Sequence, residues 1–198
     1  MPIIPLDCPG CGEPAALQDK RCKCCGRELV ISTFNSVMNR PDVELQNSAR
    51  RYQKALRDNP DTPELQSSLA YCFLKLRLFD RARAAFEKAM EEDFDASDNY
   101  FWAAVCLMQG KRPFLVSREL IDRALKYLEI ASSIESKGVY RLFKSFILYD
   151  HFERKGLNHS PSYREELLAA KASGYPSADV EAFLSCFNDA LTLPDALR

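Results

Sequence analysis

PELQSSLAYCFLKLRLFDRARAAFEKAMEEDFDA, residues 63–96, decides the reading of this chain because its pattern is echoed on both sides. Tyr52, Lys54, Ala55 and Leu56 recur 34 positions later as Phe86, Lys88, Ala89 and Met90, and Ala70, Cys72, Phe73 and Leu74 recur as Ala104, Cys106, Leu107 and Met108. Leu69, Ala70 and Phe73 share one face of a first helix; Ala82, Phe86 and Ala89 share one face of a second. Small residues let the two helices approach closely, and the aromatics fill the space between them. Such a unit has an apolar face that only a neighbouring unit buries, so the repeat predicts stacked helix pairs with an extended surface rather than one deep cleft. That favours binding over catalysis.

The breaks between helical runs are chemically legible. Thr62 before Pro63 reads as an N-cap followed by proline at the first helical position, Asp80 and Ser97 read as caps, and Ser162 with Glu165 has capping-box spacing. Gly110, Gly156 and Gly174 fall where helices should stop. The resulting expectation is helices near 42–58, 63–77, 80–92, 97–109, 116–134, 137–155, 162–173 and 177–190. Residues 1–29 are rich in Cys, Pro and Gly and lack helical period, and 30–41 form a connector with Asn35, Ser36 and Asn39 before Pro41. The domain expectation is therefore a small module at 1–29, a connector at 30–41, and a helical body at 42–198 closed by a capping helix.

The helical unit resembles the tetratricopeptide (TPR) repeat: a large-small pair, then an aromatic, then Ala, an aromatic and Ala at these spacings. Phe79 matches the aromatic expected between the two helices of the unit, and Pro60 the proline that ends a preceding repeat. The next unit matches through Tyr100, Ala103, Ala104 and Leu107, but its second helix is displaced. Asp80-Arg81-Ala82 reappears as Asp122-Arg123-Ala124, a shift of 42 residues, so about eight residues are inserted around Lys111–Arg118. A third, weaker unit runs from Tyr140, Phe143 and Ile147 to Tyr163, Leu167 and Ala170. The resemblance implies a mainly α, α-α superhelix of helix pairs whose groove binds a peptide or a segment of another protein. The carboxylate clamp of one version of the family is missing, because Ser67, Tyr71, Phe101 and Val105 occupy its positions. Tyr71, Phe101 and Val105 are candidates for an apolar groove, and equally for packing between helices. In the insertion, Lys111, Arg112 and Arg118 surround Pro113, Phe114, Leu115 and Val116. Two readings stand there: an exposed loop with Phe114 as a partner contact, or an earlier helix start with Phe114 and Leu115 in the core.

CPGCG at 8–12 and CKCCG at 22–26 carry the sharpest chemistry. Two Cys-x2-Cys knuckles, each followed by glycine, bring four thiolates to tetrahedral corners. The ligand set is Cys8, Cys11, Cys22 and Cys25, with Cys24 as a bystander or an alternative to Cys25. The segment resembles a small zinc ribbon; iron, an iron-sulfur cluster and a redox dithiol are the competing readings. Four closed ligands point to structural zinc rather than a catalytic metal. Cys72 and Cys106, at equivalent points of the repeat, read as core residues.

Net charge is -1 with a pI near 6.2, which gives the whole chain no pull on a polyanion. Lys20, Arg21, Lys23 and Arg27 near the second knuckle are the local exception, so a nucleic-acid-associated factor that contacts phosphate through the ribbon is the alternative function, with a cysteine-based redox protein as another. No apolar run is long enough to cross a membrane and no signal peptide is evident, which leads to the expectation of a cytoplasmic protein whose reducing surroundings favour metal over disulfides. No phosphate loop, HExxH helix or GxSxG elbow is present, and His151 and His159 read as surface or cap residues. The combined expectation is a non-enzymatic interaction adaptor.

Overall fold

The computed structural model describes residues 4–188 and 192–197. The fold is mainly α, with helices α1 (Asp42–Asp58), α2 (Pro63–Lys75), α3 (Phe79–Glu92), α4 (Ser97–Leu107), α5 (Arg118–Ile134), α6 (Gly138–Ile147), α7 (Tyr163–Ser173) and α8 (Ser177–Leu184). The predicted final helix to residue 190 extends beyond α8, and its residues 189–190 lie outside the described residues. A two-stranded antiparallel ribbon, β1 (Pro5–Asp7) and β2 (Pro14–Ala16), precedes the helices, with Leu6 opposite Ala15.

The chain divides into two compact units, Met1–Phe94 and Asp95–Arg198. In the first, α2 packs on both α1 and α3. Ala82, Ala85 and Ala89 of α3 are buried with Phe86, whose ring meets Tyr71 of α2 edge-on at 5.3 Å. In the second unit α4 packs on α5, α5 on α6, and α6 on α7. Connections of three or four residues join all successive helices but α4–α5 and α6–α7, and they force the chain to reverse, giving the pairwise TPR-like arrangement that the repeat predicts. Phe101 of α4, Phe143 of α6 and Phe183 of α8 form an aromatic cluster at the centre of this unit, with centroids 5.4–6.4 Å apart. Edge-to-face contacts of this kind add to the burial of large apolar area.

Several predicted caps are used differently. Thr62 and Pro63 stand where expected, but the Thr62 hydroxyl donates back to the Asn59 carbonyl at 3.1 Å. Leu78 and Ala96, rather than Asp80 and Ser97, occupy the N-cap positions of α3 and α4. The Ser97 hydroxyl is instead buried beside the Tyr140 hydroxyl at 2.9 Å and donates to Glu135 at 2.8 Å, so tertiary partners outbid the local cap. The Ser162–Glu165 capping box forms as predicted: Glu165 N–H donates to Ser162 Oγ, and Ser162 N–H donates to the Glu165 carboxylate at 2.7 Å.

Candidate metal centre and contact loop

Each Cys-x2-Cys segment folds into the same small turn. The Cys8 N–H donates to the Glu13 carbonyl at 2.9 Å and the Gly12 N–H to the Cys8 carbonyl at 3.0 Å. In the second segment Cys22 N–H donates to Arg27 at 2.8 Å and Gly26 N–H to Cys22 at 2.9 Å. Gly12 and Gly26 have φ of 87° and 70°, a left-handed conformation that side chains resist. The first turn joins β1 to β2; the second lies inside an antiparallel bridge between Arg21 and Glu28.

The two turns face each other through their sulfurs. All four Sγ atoms of Cys8, Cys11, Cys22 and Cys25 lie within 4.8 Å of one another, and the Cys8–Cys25 and Cys11–Cys22 pairs are each 3.6 Å apart. These separations far exceed a disulfide bond, and all eight cysteines are free thiols. A tetrahedron with metal–sulfur distances of about 2.3 Å has edges of about 3.8 Å, so the spacing of the donor set is close to what a four-coordinate ion requires. The Gly10 N–H also points at Cys8 Sγ from 3.4 Å, a donor that favours thiolate. Although a backbone hydrogen bond at Glu13 favours its ionised form, desolvation and the three neighbouring thiols push Cys11 up to about 12. Crowded thiols without a cation keep their protons, and a metal ion reverses that preference. Cys24 is exposed and stands outside the cluster.

The module is fastened to α1. Arg51 donates to the Cys8 carbonyl at 2.6 Å, the Ser48 hydroxyl to the Pro9 carbonyl at 3.0 Å, and the buried Tyr52 hydroxyl to the Leu29 carbonyl at 3.0 Å. Beyond it, Ile31 N–H donates to Ser68 of α2 at 2.8 Å, while Leu29, Ile31, Phe34 and Val37 are all buried. Residues 30–41 are therefore packed structure, not a loose tether. The basic residues that suggested phosphate contact are mostly paired: Arg21 with Glu28, Lys23 with Asp19, and Arg27 with Glu44 of α1.

The other sequence candidates separate by exposure. Tyr71, Phe101 and Val105 are 2 %, 2 % and 1 % exposed, Tyr71 against Phe34 and Phe86, and Phe101 against Tyr140 and Phe143. Phe114 is 37 % and Leu115 68 % exposed. The insertion does not extend α5 backwards; it forms a short 3-10 turn at Pro113–Leu115, with Pro113 and Val116 buried and the two residues between them outward.

What holds this loop was not evident from the sequence. The helix predicted to run to 155 widens after α6 into a π-helical turn, Leu148–Phe152, then a 3-10 turn. Its Asp150, fully buried, accepts from Arg112 at 2.7 Å, from the Phe114 N–H at 2.8 Å and from Arg154 at 2.6 Å. His151 is buried rather than a surface or cap residue, because its Nδ1 donates to the Pro113 carbonyl at 2.9 Å. Burial pulls its pKa below the usual histidine value. The i, i+4 spacing of Asp150 with Arg154 was the only local signal. His159 lies half-buried, its ring 4.6 Å from that of Phe152.

No protein-family profile matches the sequence, and no curated protein does. Among solved structures, one described as MamA MSR-1 C2 is similar over 70% of this chain and 67% of that chain, at 18% identity and a TM-score of 0.46. Among the described residues, no helix is long and apolar enough to cross a membrane.

Proposed function

We propose that this chain is a non-enzymatic protein-interaction scaffold, in which a zinc-bearing ribbon caps the first helix of a TPR-like repeat and a partner polypeptide is held by the repeat. The observation that carries this reading is the cluster of four free sulfurs within 4.8 Å, seated on α1 through Arg51 and Ser48. Cys8, Cys11, Cys22 and Cys25 would hold the ion, and four thiolates leave zinc no open position for substrate, so its contribution is to cross-link two turns that bury too little surface to fold alone. Capping explains why the module exists. A terminal repeat has an apolar face with no neighbouring repeat to cover it, and here residues 29–37 and the ribbon cover α1 and α2. Tyr71, Phe101 and Val105 serve the interaction by holding the helices in place, and Phe114 meets the partner directly. A cytoplasmic setting fits the free thiols.

The test is metal analysis together with cross-linking mass spectrometry on the full chain. One tightly held zinc per chain, and partner polypeptides cross-linked to the helical body with recovery reduced at least fivefold by Phe114→Ala, are the expected results. A metal-free but folded native protein, or the absence of any polypeptide partner, overturns the reading.

A further inference from the structure

The insertion loop, the π-helical turn and the start of α5 leave positive charge around an exposed apolar tip. Arg112 and Arg154 share one carboxylate, that of Asp150, so one of their charges is uncompensated. Arg118 is matched by Asp122 and Glu153 by Arg164, while none of these cations pairs with Glu119. Lys111 and Lys155 are exposed and have no carboxylate partner among the described residues. Lys155 is in a more telling position. Its ammonium lies 3.3 Å from His151 Nδ1, but that nitrogen already faces the Pro113 carbonyl, which only accepts. Nδ1 must therefore carry the hydrogen, and Lys155 faces a donor rather than an acceptor. Arg112 Nε is buried and also lacks an acceptor. Between these cations stands Phe114, with Arg154 and Lys155 each 4.9 Å from its ring centroid, and Leu115 beside it points outward.

Resting on the scaffold reading above, we infer that the Lys111–Leu115 loop and Lys155 form the docking point for an acidic linear peptide segment of the partner, its Asp or Glu side chains pairing with Lys111 and Lys155 and a flanking Leu or Phe covering Phe114 and Leu115. The charge left over sets the sign of the ligand, and the apolar tip sets its second requirement. Carboxylates supply the acceptors that Lys111 and Lys155 lack. The exposed apolar area amounts to two side chains, which matches one or two anchors of a linear motif better than a lipid surface. The loop itself is already ordered by Asp150 and His151, so docking does not bear the cost of folding it.

The experiment screens the full chain against a synthetic peptide array in which Asp/Glu, Lys/Arg and Leu/Phe content vary independently, with phosphatidylserine vesicles and a single-stranded RNA oligomer as separate arms. Acidic peptides containing Leu or Phe should be enriched, and their binding should weaken tenfold or more both in Lys111→Glu/Lys155→Glu and when salt is raised from 50 to about 500 mM. The doubly reversed chain should gain binding to the matching basic peptides. Lys126→Glu, a charge reversal on the exposed face of α5, should change binding less than twofold. Equal melting curves establish that each variant folds. If enriched peptides are neutral or basic, or if acidic binding survives the lysine reversal, the inference falls while the scaffold reading stands; if no peptide binds, both fall. Preferential binding to vesicles or RNA with the same lysine dependence overturns the peptide assignment.

Discussion

A Cβ on Gly138 would stand 2.2 Å from the carbonyl oxygen of Gly174 and 2.7 Å from that of Ala170. Both are backbone atoms at the end of α7, so neither is able to move aside as a side-chain tip would. Gly138 opens α6, and its bare Cα lets α7 end directly against it. Gly138→Ala should therefore destabilise the protein by about 1–3 kcal/mol, the range for forced overpacking, measured as a fall in urea midpoint at constant slope. A change below about 0.5 kcal/mol would show that the close approach relaxes freely. Asp150 is the other single residue on which much depends. It collects two guanidinium groups and a backbone N–H inside the second unit. Asp150→Ala leaves all three donors facing an apolar gap, and because both arginines are part-exposed and regain water, a loss of about 1–3 kcal/mol is expected. Hydrogen exchange at the Phe114 amide should accelerate at the same time; unaltered exchange there would deny Asp150 its part in ordering the loop.

At the scale of elements, the ribbon and α1 behave as one assembly. The ribbon presents carbonyl oxygens of Cys8, Pro9 and Leu29, and α1 answers with Arg51, Ser48 and Tyr52, three donors along the same helix. If a metal ion cross-links the turns as proposed, its removal frees those acceptors from their fixed positions. Cys22→Ser, or chelation of the native protein, should release about one metal ion and reduce exchange protection of residues 5–58 at least tenfold, with the amides of α6 and α7 little changed. Loss of metal with full protection retained along α1 would mean that the ribbon rests on the helix without supporting it. Six of the eight helices keep close to their predicted limits because hydrophobic period, Pro63, and the Ser162–Glu165 box are local signals, and α8 stops at Leu184, short of the predicted 190. The other exception is the tail of α6. A π turn inserts one residue into the helical register to suit what packs on it, here the Pro113 carbonyl, Arg112 and Arg118, all distant in sequence.

For the molecule as a whole, acid should act in two stages. His151 is held below its ordinary value of 6.5 by burial, so the unfolded chain binds its proton first, and stability is lost as pH falls below about 6.5. Glu165, held low by the Ser162 N–H, Glu135, held low by Lys137 and then Ser97, and Asp19, held low by the Ala16 N–H, all favour the folded state when ionised. Their contribution is present above the carboxylate range and disappears as pH falls through it, giving a second decline below about 4.5. Urea midpoints from pH 8 to 3 should show both, and chelated His151→Gln protein should lack most of the first. A flat profile between pH 7 and 5 in the metal-loaded native chain would contradict the assignment.

The sequence by itself determined the helix-pair repeat and the clustering of Cys8, Cys11, Cys22 and Cys25, because side chains 34 positions apart and sulfurs three apart express rules of short range: helical period and turn chemistry. It also located the insertion. Only the tertiary structure decided which aromatic residues were free. Tyr71 and Phe101 carry the same local pattern as exposed contact residues, yet their rings are enclosed by Phe34, Phe86, Tyr140 and Phe143, while Phe114 stays outward because Asp150 and His151 hold the peptide that joins it to Pro113. Burial depends on which distant segments arrive at a surface, and no local pattern along the chain records that.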